Sequence, residues 1–307
     1  MSWATSSSAP LLRQEDLELE REVVLEEIAM VQDTPDDLVF ELHGADFWNG
    51  HPYGHAILGN PESVRGLDAP ALQELHRQRY LNGNLIVAAA GNVHHQEVVE
   101  RTAHLFAAVQ SPEEPNTVPE PSPLETGSVC VTRDSSQTHM VLGSSIPGHS
   151  HPDRYPLLIL SSAFGGGMSS RLFQRIREAL GLAYSVFSFQ SFYSRSGISG
   201  VYVGTRPEWG DRALEAILEE HRRLAADGLT ADELAQTKQQ VKGQVMLSLE
   251  STGARLFRLA GFAVYDEPFL TLDELLGLID GITQEDVARV ASEYFDADRQ
   301  FTLRLGP

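Results

Sequence analysis

The 307 residues supply enough chain for two domains of ordinary size, each with its own core. A hydrophobic fraction of 42% beside 21% charged residues is that of a soluble globular protein, and the longest aliphatic run, Leu85 to Ala90, is far too short to cross a bilayer, so no membrane segment is expected. A net charge of -20 argues against nucleic acid, because phosphate binding takes clustered Lys and Arg; it permits basic partners, although solubility is the commoner reason for an acidic chain. The opening MSWATSSSAP has neither the basic start nor the apolar run of a signal peptide and reads as a disordered leader or an accidental start. One cysteine, Cys130, excludes an intramolecular disulfide, suits a cytoplasmic compartment, and is expected as a small core residue between Val129 and Val131.

The first periodic stretch is LELEREVVLEEIAMVQDTPDD, residues 17 to 37. At about 100° per residue Leu17, Val24, Ile28 and Val31 share one side of a helix, and Val23 and Met30 widen that arc. Glu20 and Glu27 fall inside it, whereas Glu18, Arg21, Glu22 and Glu26 point elsewhere. A carboxylate on a buried stripe is costly unless a charged or hydrogen-bonding group meets it, so this helix implies a partner for its two glutamates. A second helix follows in PDDLVFELHGADFW, with Pro35 in its first turn. After a loop through NGHPYGHAILGNPES come a helix from Asp68 to Tyr80, a strand NLIVAAAGNV and an amphipathic helix HHQEVVERTAHLFAAV. One strand among several helices is too little sheet for a stable layer, so residues 1–110 read as an incomplete first domain.

The composition breaks at SPEEPNTVPEPSPLETG, residues 111–127, where five prolines among acidic and small polar residues read as an interdomain linker. Beyond it SVCVTRD and QTHMVLGSSI read as strands, HPDRYPLLILSSAF as a helix, and GGGMSS as a loop opening the helix RLFQRIREAL. AYSVFSFQSFY and GISGVYVGT form a hairpin closed at SRSG. Long helices span about residues 207–226 and 231–249, shorter ones follow, and RQFTLRL closes as a strand. The fold class is therefore α+β, mostly antiparallel sheet with helices packed on one face, and residues 128–307 form the complete second domain.

Histidines offer little chemistry. His51 and His55 in HPYGH have the spacing of helical metal ligands, but Pro52 and Gly54 break any helix that would place both imidazoles on one face. His94 and His95 open a helix at the surface, and the HSH of residues 149–151 is a weak chelating pair in a turn. Neither HExxH, HxxEH nor the nucleophile elbow GxSxG occurs. The glycines of FGGGMSSRLFQRIREALGLAYS could cradle a phosphate before a helix, yet GK[ST] and GxGxxG are both lacking; they equally let an extended peptide approach the backbone. Within that stretch Arg177 and Tyr184 stand seven residues apart, and their plainest reading is a surface salt bridge and a core aromatic.

Taken in order, EDLELEREVVLEEIAM with QDTPDD, HPYGHAILGNPESVRGL, HRQRYLNGNLIVAAAGNV and GGGMSSRLFQRIREALGLAYS resemble the motif blocks of the pitrilysin/insulinase family of inverzincin metallopeptidases. The branch is the shorter one that includes mitochondrial processing peptidase and its bacterial relatives, and the resemblance runs from about residue 11 onward. It implies two domains of homologous type, a zinc-dependent endopeptidase, and a peptide or unfolded protein as substrate. The family's ExxxxxxE motif maps onto Glu20 and Glu27. By that resemblance Glu27 is the last Zn²⁺ ligand and Glu20 supports the site from behind, which would give both carboxylates their partner. The arginine and tyrosine with which the family holds substrate match Arg177 and Tyr184.

One departure is severe. The family's HxxEH, with two histidine ligands and the general base, lies roughly 70 residues or more upstream of the ligand glutamate. Only 26 residues precede Glu27 here. Zinc takes about three protein ligands and a water, so one carboxylate leaves the site incomplete. The expectation is a C-terminal portion of a zinc endopeptidase, inactive alone, whose partner is a chain carrying HxxEH or a homologous subunit. The alternative is a non-catalytic subunit of the same fold that captures peptides or assembles with a catalytic partner; a phosphate-binding module comes third. Retention of Glu20, Glu27, Arg177 and Tyr184 favours the first.

Overall fold

The computed structural model describes residues 10–81, 83–107, 109, 118–124 and 126–307. The chain opens with helices α1 (Gln14–Asp33), α2 (Pro35–Phe47), α3 (Pro61–Gly66), α4 (Ala69–Arg79) and α5 (His95–Leu105). Strands β1 (Gly127–Thr132) and β2 (Thr138–Pro147) lead to helix α6 (Arg154–Gly165) and a π-helical segment, Phe173–Ala179. The hairpin of β3 (Ala183–Phe192) and β4 (Ser196–Thr205) precedes α7 (Gly210–Asp227), α8 (Ala231–Ser248), α9 (Thr252–Val264), α10 (Leu272–Gly281), α11 (Gln284–Tyr294) and β5 (Phe301–Gly306). Local chemistry sets these starts. Pro35 occupies the first turn of α2, and reciprocal capping boxes of Asn60 with Ser63, Thr271 with Glu274 and Thr283 with Asp286 open α3, α10 and α11. Among the described residues no helix is long and apolar enough to cross a membrane.

Two compact units emerge: Met1–Met30, Ile57–Val118 and Leu247–Phe269 form one, and Val31–Ala56, Pro119–Met246 and Leu270–Pro307 the other. The second unit contains a five-stranded sheet in the order β1-β5-β2-β4-β3, antiparallel except for the parallel pair β1–β5. Alternation along the strands sends Met140, Leu142, Val201 and Val203 to one face, where they pack with Leu157 and Leu160 of α6, Ala213 and Ile217 of α7, and Val287 and Val290 of α11. Val141, Tyr202, Leu303 and Leu305 point the other way, against Val39 of α2. The α+β class and the mainly antiparallel sheet stand, but helices cover both faces. The covering α2 comes from before the proline-rich stretch, a long-range pairing that helical periodicity does not encode. Val39, Phe47 and Trp48 are buried there. At roughly 1.5–3 kcal/mol for each large apolar side chain, that anchoring is comparable with the net stability of a domain.

The first unit is thinner. Among its described residues the buried apolar side chains are Ile28, Val64, Ala69 and Phe106, while Ile57, Leu75, Phe257 and Phe269 are exposed. The expected strand NLIVAAAGNV does not form: residues 85–90 are neither helix nor strand, though mostly half-buried. Apolar residues of strand type become a strand only when a neighbour takes their N–H and C=O groups, and no ladder partner lies among the described residues. Of the proline-rich stretch, residues 111–117 and 125 lie outside the described residues, 118–124 form neither helix nor strand, and Gly127 already belongs to β1. Cys130 is exposed rather than buried. On the edge strand β1, Val129 and Val131 turn toward the α2 side, and Cys130 between them takes the opposite, uncovered face.

Candidate functional site

On α1 the broad apolar arc expected from periodicity splits into two stripes. Ile28 is buried and Leu17 and Val24 are half-buried, with Arg21 beside them. Arg21 Nη2 donates to the Leu67 carbonyl at 2.6 Å and Nε to that of Val64 at 3.4 Å, which places a cation on the last carbonyls of α3. Glu20 and Glu27, expected on the buried side, are both exposed. So are Leu19, Val23 and Met30, at 73%, 51% and 68%. At 3.6 residues per turn these five residues share one arc of about 100° beside the packed stripe. The glutamates therefore sit on an uncovered, half-apolar face.

Arg177 and Tyr184 are brought together. The guanidinium carbon of Arg177 lies 4.8 Å from the ring centroid of Tyr184 and 4.8 Å from that of Phe173. Three departures from regular backbone achieve this. Arg177 belongs to the π-helical segment, a winding that recurs at functional sites. Gly181 has φ +61° with open space where a Cβ would stand, so conformation and not room demands glycine. Tyr184 is the extra residue of a β-bulge: Ala183 opposes Thr205 and Ser185 opposes Gly204, which leaves the tyrosine with no partner across the ladder. It is 80% exposed, so the core-aromatic reading fails; the bulge turns it outward while Ala183 and Val186 stay buried. Arg177 Nε does lie 3.9 Å from the Glu178 carboxylate, a loose version of the surface pair.

The two side chains line a cleft of about 400 Å³ with Gln137, Glu178, Gly204, Arg206 and Trp209. Arg206 lies 4.6 Å over the Trp209 ring. Sequence reading missed Arg206 and Trp209, which stand more than a whole strand away from the motif and meet it only because β3 and β4 form a hairpin. A second groove of about 380 Å³ runs beside β3, an edge strand with no further ladder partner among the described residues, and is lined by Gly165, Gly166, Gly167, Met168, Phe187 and Ser188. Gly165 has a packing reason, since a Cβ there would stand 2.3 Å from the Ser188 backbone nitrogen; Gly167 faces only Gln240 at 3.5 Å. His51 is occupied within the fold, its Nε2 donating to the Pro119 carbonyl at 3.0 Å and its Nδ1 accepting from the Tyr53 N–H at 3.2 Å.

Among the described residues no three His, Cys, Asp or Glu side chains gather as a metal site. Those residues, Glu27 included, do not by themselves fit a zinc ion. The family profile described as peptidase M16 inactive domain matches residues 66–241. An uncharacterized zinc protease of Streptomyces coelicolor is 35% identical over 292 residues, which is 92% of this chain and 63% of that protein. A similarly named zinc protease of Bacillus subtilis is 32% identical over 288 residues, 94% of this chain and 70% of that protein. The chain thus spans less than two thirds of its Streptomyces relative. The fold is shared with a peptidase M16 inactive domain from Pseudomonas fluorescens, at a TM-score of 0.91 and 22% identity over 99% of this chain and 73% of that one. It is shared as well with a protease from Helicobacter pylori, at 0.88 and 23% over 99% and 75%. With a family profile over more than half of its length and relatives 35% identical along nearly all of it, the chain belongs to the M16, or pitrilysin/insulinase, peptidase family.

Proposed function

We propose that this chain is the substrate-holding part of a zinc endopeptidase. The observation that carries the reading is the Arg177–Tyr184 pair, raised by a π-helical turn and a β-bulge over a cleft at the end of the edge strand β3. An extended peptide laid along β3 pairs its backbone with that edge, and Arg177 and Tyr184 donate hydrogen bonds to its carbonyls. By the family resemblance Glu27 would supply one zinc ligand and Glu20 would orient it, and the histidines of an HxxEH segment would complete the set. The uncovered glutamate stripe of α1 and the unladdered residues 85–90 support that reading, since both are surfaces of the kind a further layer covers. The second reading, a non-catalytic subunit that captures peptides, draws on the same Arg177–Tyr184 cleft and differs in having no use for the glutamates.

The test supplies an HxxEH-bearing segment of a zinc-protease relative as a second chain and measures zinc content beside kcat/KM. Glu27→Gln is expected to abolish both and Glu20→Gln to weaken zinc more mildly. Tyr184→Phe is expected to keep zinc and lose roughly 10- to 1000-fold in rate, the range for one transition-state donor. Loss of metal in Tyr184→Phe, or full activity in Glu27→Gln, overturns the assignment. Activity with no dependence on Glu27 in a complex that binds peptide favours the subunit reading.

A further inference from the structure

The cleft below Tyr184 has a charge pattern that its role in holding a peptide backbone does not require. The chain carries 43 acidic residues against 23 Lys and Arg, and arginines of the second unit are commonly engaged by carboxylates. Arg171 pairs with Glu233 at 2.7 Å, Arg304 with Asp211 at 2.7 Å, and Arg289 binds Asp153 through both terminal nitrogens. Arg206 is different. Among the described residues it has no carboxylate within ion-pair distance, and its guanidinium lies over the Trp209 ring at 4.6 Å. A ring beneath the guanidinium fixes its plane and leaves its N–H edge free to donate. Arg177 on the same cleft is held in the same way, over Tyr184 and Phe173, with Glu178 at 3.9 Å as its loose counter-charge.

Two guanidiniums, each seated over aromatic rings, line one cleft, which they share with the Glu178 carboxylate; in a chain with an excess of acids, that leaves Arg206 as a cation able to meet a planar anion. A carboxylate matches the guanidinium fork with two parallel hydrogen bonds. Arg206 directly follows β4, whose last residues Gly204 and Thr205 oppose the bulge that carries Tyr184, so a peptide running along β3 arrives at this cleft. We infer that the Arg177–Arg206 cleft reads a carboxylate of the bound peptide, either an acidic side chain or the free C-terminus, and so sets a preference among substrates. The inference rests on the peptide-holding reading above and adds the chemical class that the site selects.

The experiment uses the full chain and fluorescein-labelled, unstructured peptides of about ten residues, long enough to lie along one strand edge. Each carries a single Glu or Gln, moved along the sequence, and ends in a free acid or an amide; anisotropy gives the affinities. One register of Glu, or the free acid end, is expected to bind roughly tenfold tighter than its amide counterpart, a difference that shrinks with added salt. Which arm responds identifies the source of the carboxylate. Arg206→Gln is expected to bind acid and amide forms alike, and Arg206→Lys to retain only part of the difference, having charge without the fork. Equal binding of acid and amide peptides in every register overturns the carboxylate inference and leaves peptide holding intact. A preference that survives Arg206→Gln overturns it too, because the carboxylate is then read elsewhere. No binding of any peptide overturns the peptide-holding reading, and this one with it.

Discussion

Two buried histidines that no chemistry uses give the second unit a titration. His43 Nε2 donates to the Phe301 carbonyl at 3.2 Å between the rings of Phe47 and Phe301, and His221 Nδ1 donates to the Phe295 carbonyl at 3.2 Å beside Phe164. Burial pushes each imidazole down from 6.5 to about 4, against the smaller opposing pull of its backbone hydrogen bond. A depressed folded value means that the unfolded chain takes up protons first as pH falls. The contribution of each histidine is therefore complete above about pH 6.5 and is lost as pH falls toward about 4, amounting to about 2 kcal/mol each at pH 5. Urea denaturation at pH 7 and pH 5 checks this: His43→Gln and His221→Asn, which keep the donor and remove the titration, should flatten the pH slope. Glu233 adds a second, more acidic window, since its hydrogen bonds with Arg171 hold it down to about 2, and its contribution is lost as pH falls from 4.5 to that value. At this scale the motif was legible and its geometry was not. Arg177 and Tyr184 are singled out by the family resemblance of the stretch that carries them and not by their spacing, whereas Arg206 and Trp209 join them only through strand pairing.

Among the elements, α2 shows why order along the chain and order in space diverge. Its Val39 and Phe47, with Trp48 just past its end, cover a sheet face built more than 70 residues later, from β2, β4 and β5. A fragment of residues 128–307 is therefore expected to expose Val141, Tyr202, Leu303 and Leu305 and to bind the hydrophobic dye ANS. Adding residues 31–56 as a separate peptide should reduce that signal and raise the urea midpoint; a fragment that is dye-silent and as stable as the full chain shows that α2 is dispensable. The alternation of β2 and β4 is readable in the sequence, and so are the capping boxes of α10 and α11, because each depends on neighbours a few residues away. The strand character of residues 85–90 is equally readable. What those residues fail to become depends on ladder partners that no local pattern supplies.

At the scale of the whole molecule, a net charge of -20 and an apolar, thinly packed first unit act against each other. Like charge keeps copies apart at low ionic strength, and salt screens that repulsion over about 10 Å at 0.1 M. Light scattering should therefore show association rising between about 0.05 M and about 0.5 M NaCl, and Met30→Lys with Val23→Lys, on the exposed stripe of α1, should reduce it. Scattering that is flat with salt, or unchanged in that variant, means that the exposed stripe is not adhesive.

The bulge at Tyr184 has a consequence for anyone who would improve this sheet. Thr205 and Gly204 are consecutive, and their partners Ala183 and Ser185 are consecutive but for the tyrosine. Strike Tyr184 out and the ladder closes without a gap, with Ala183 and Val186 still facing inward and Ser185 between them facing outward. The residue is thus an insertion into an otherwise seamless fabric, and deleting it is expected to raise the melting temperature while removing the ring from the cleft. What the insertion gives up in regular pairing it returns as an exposed ring over the cleft.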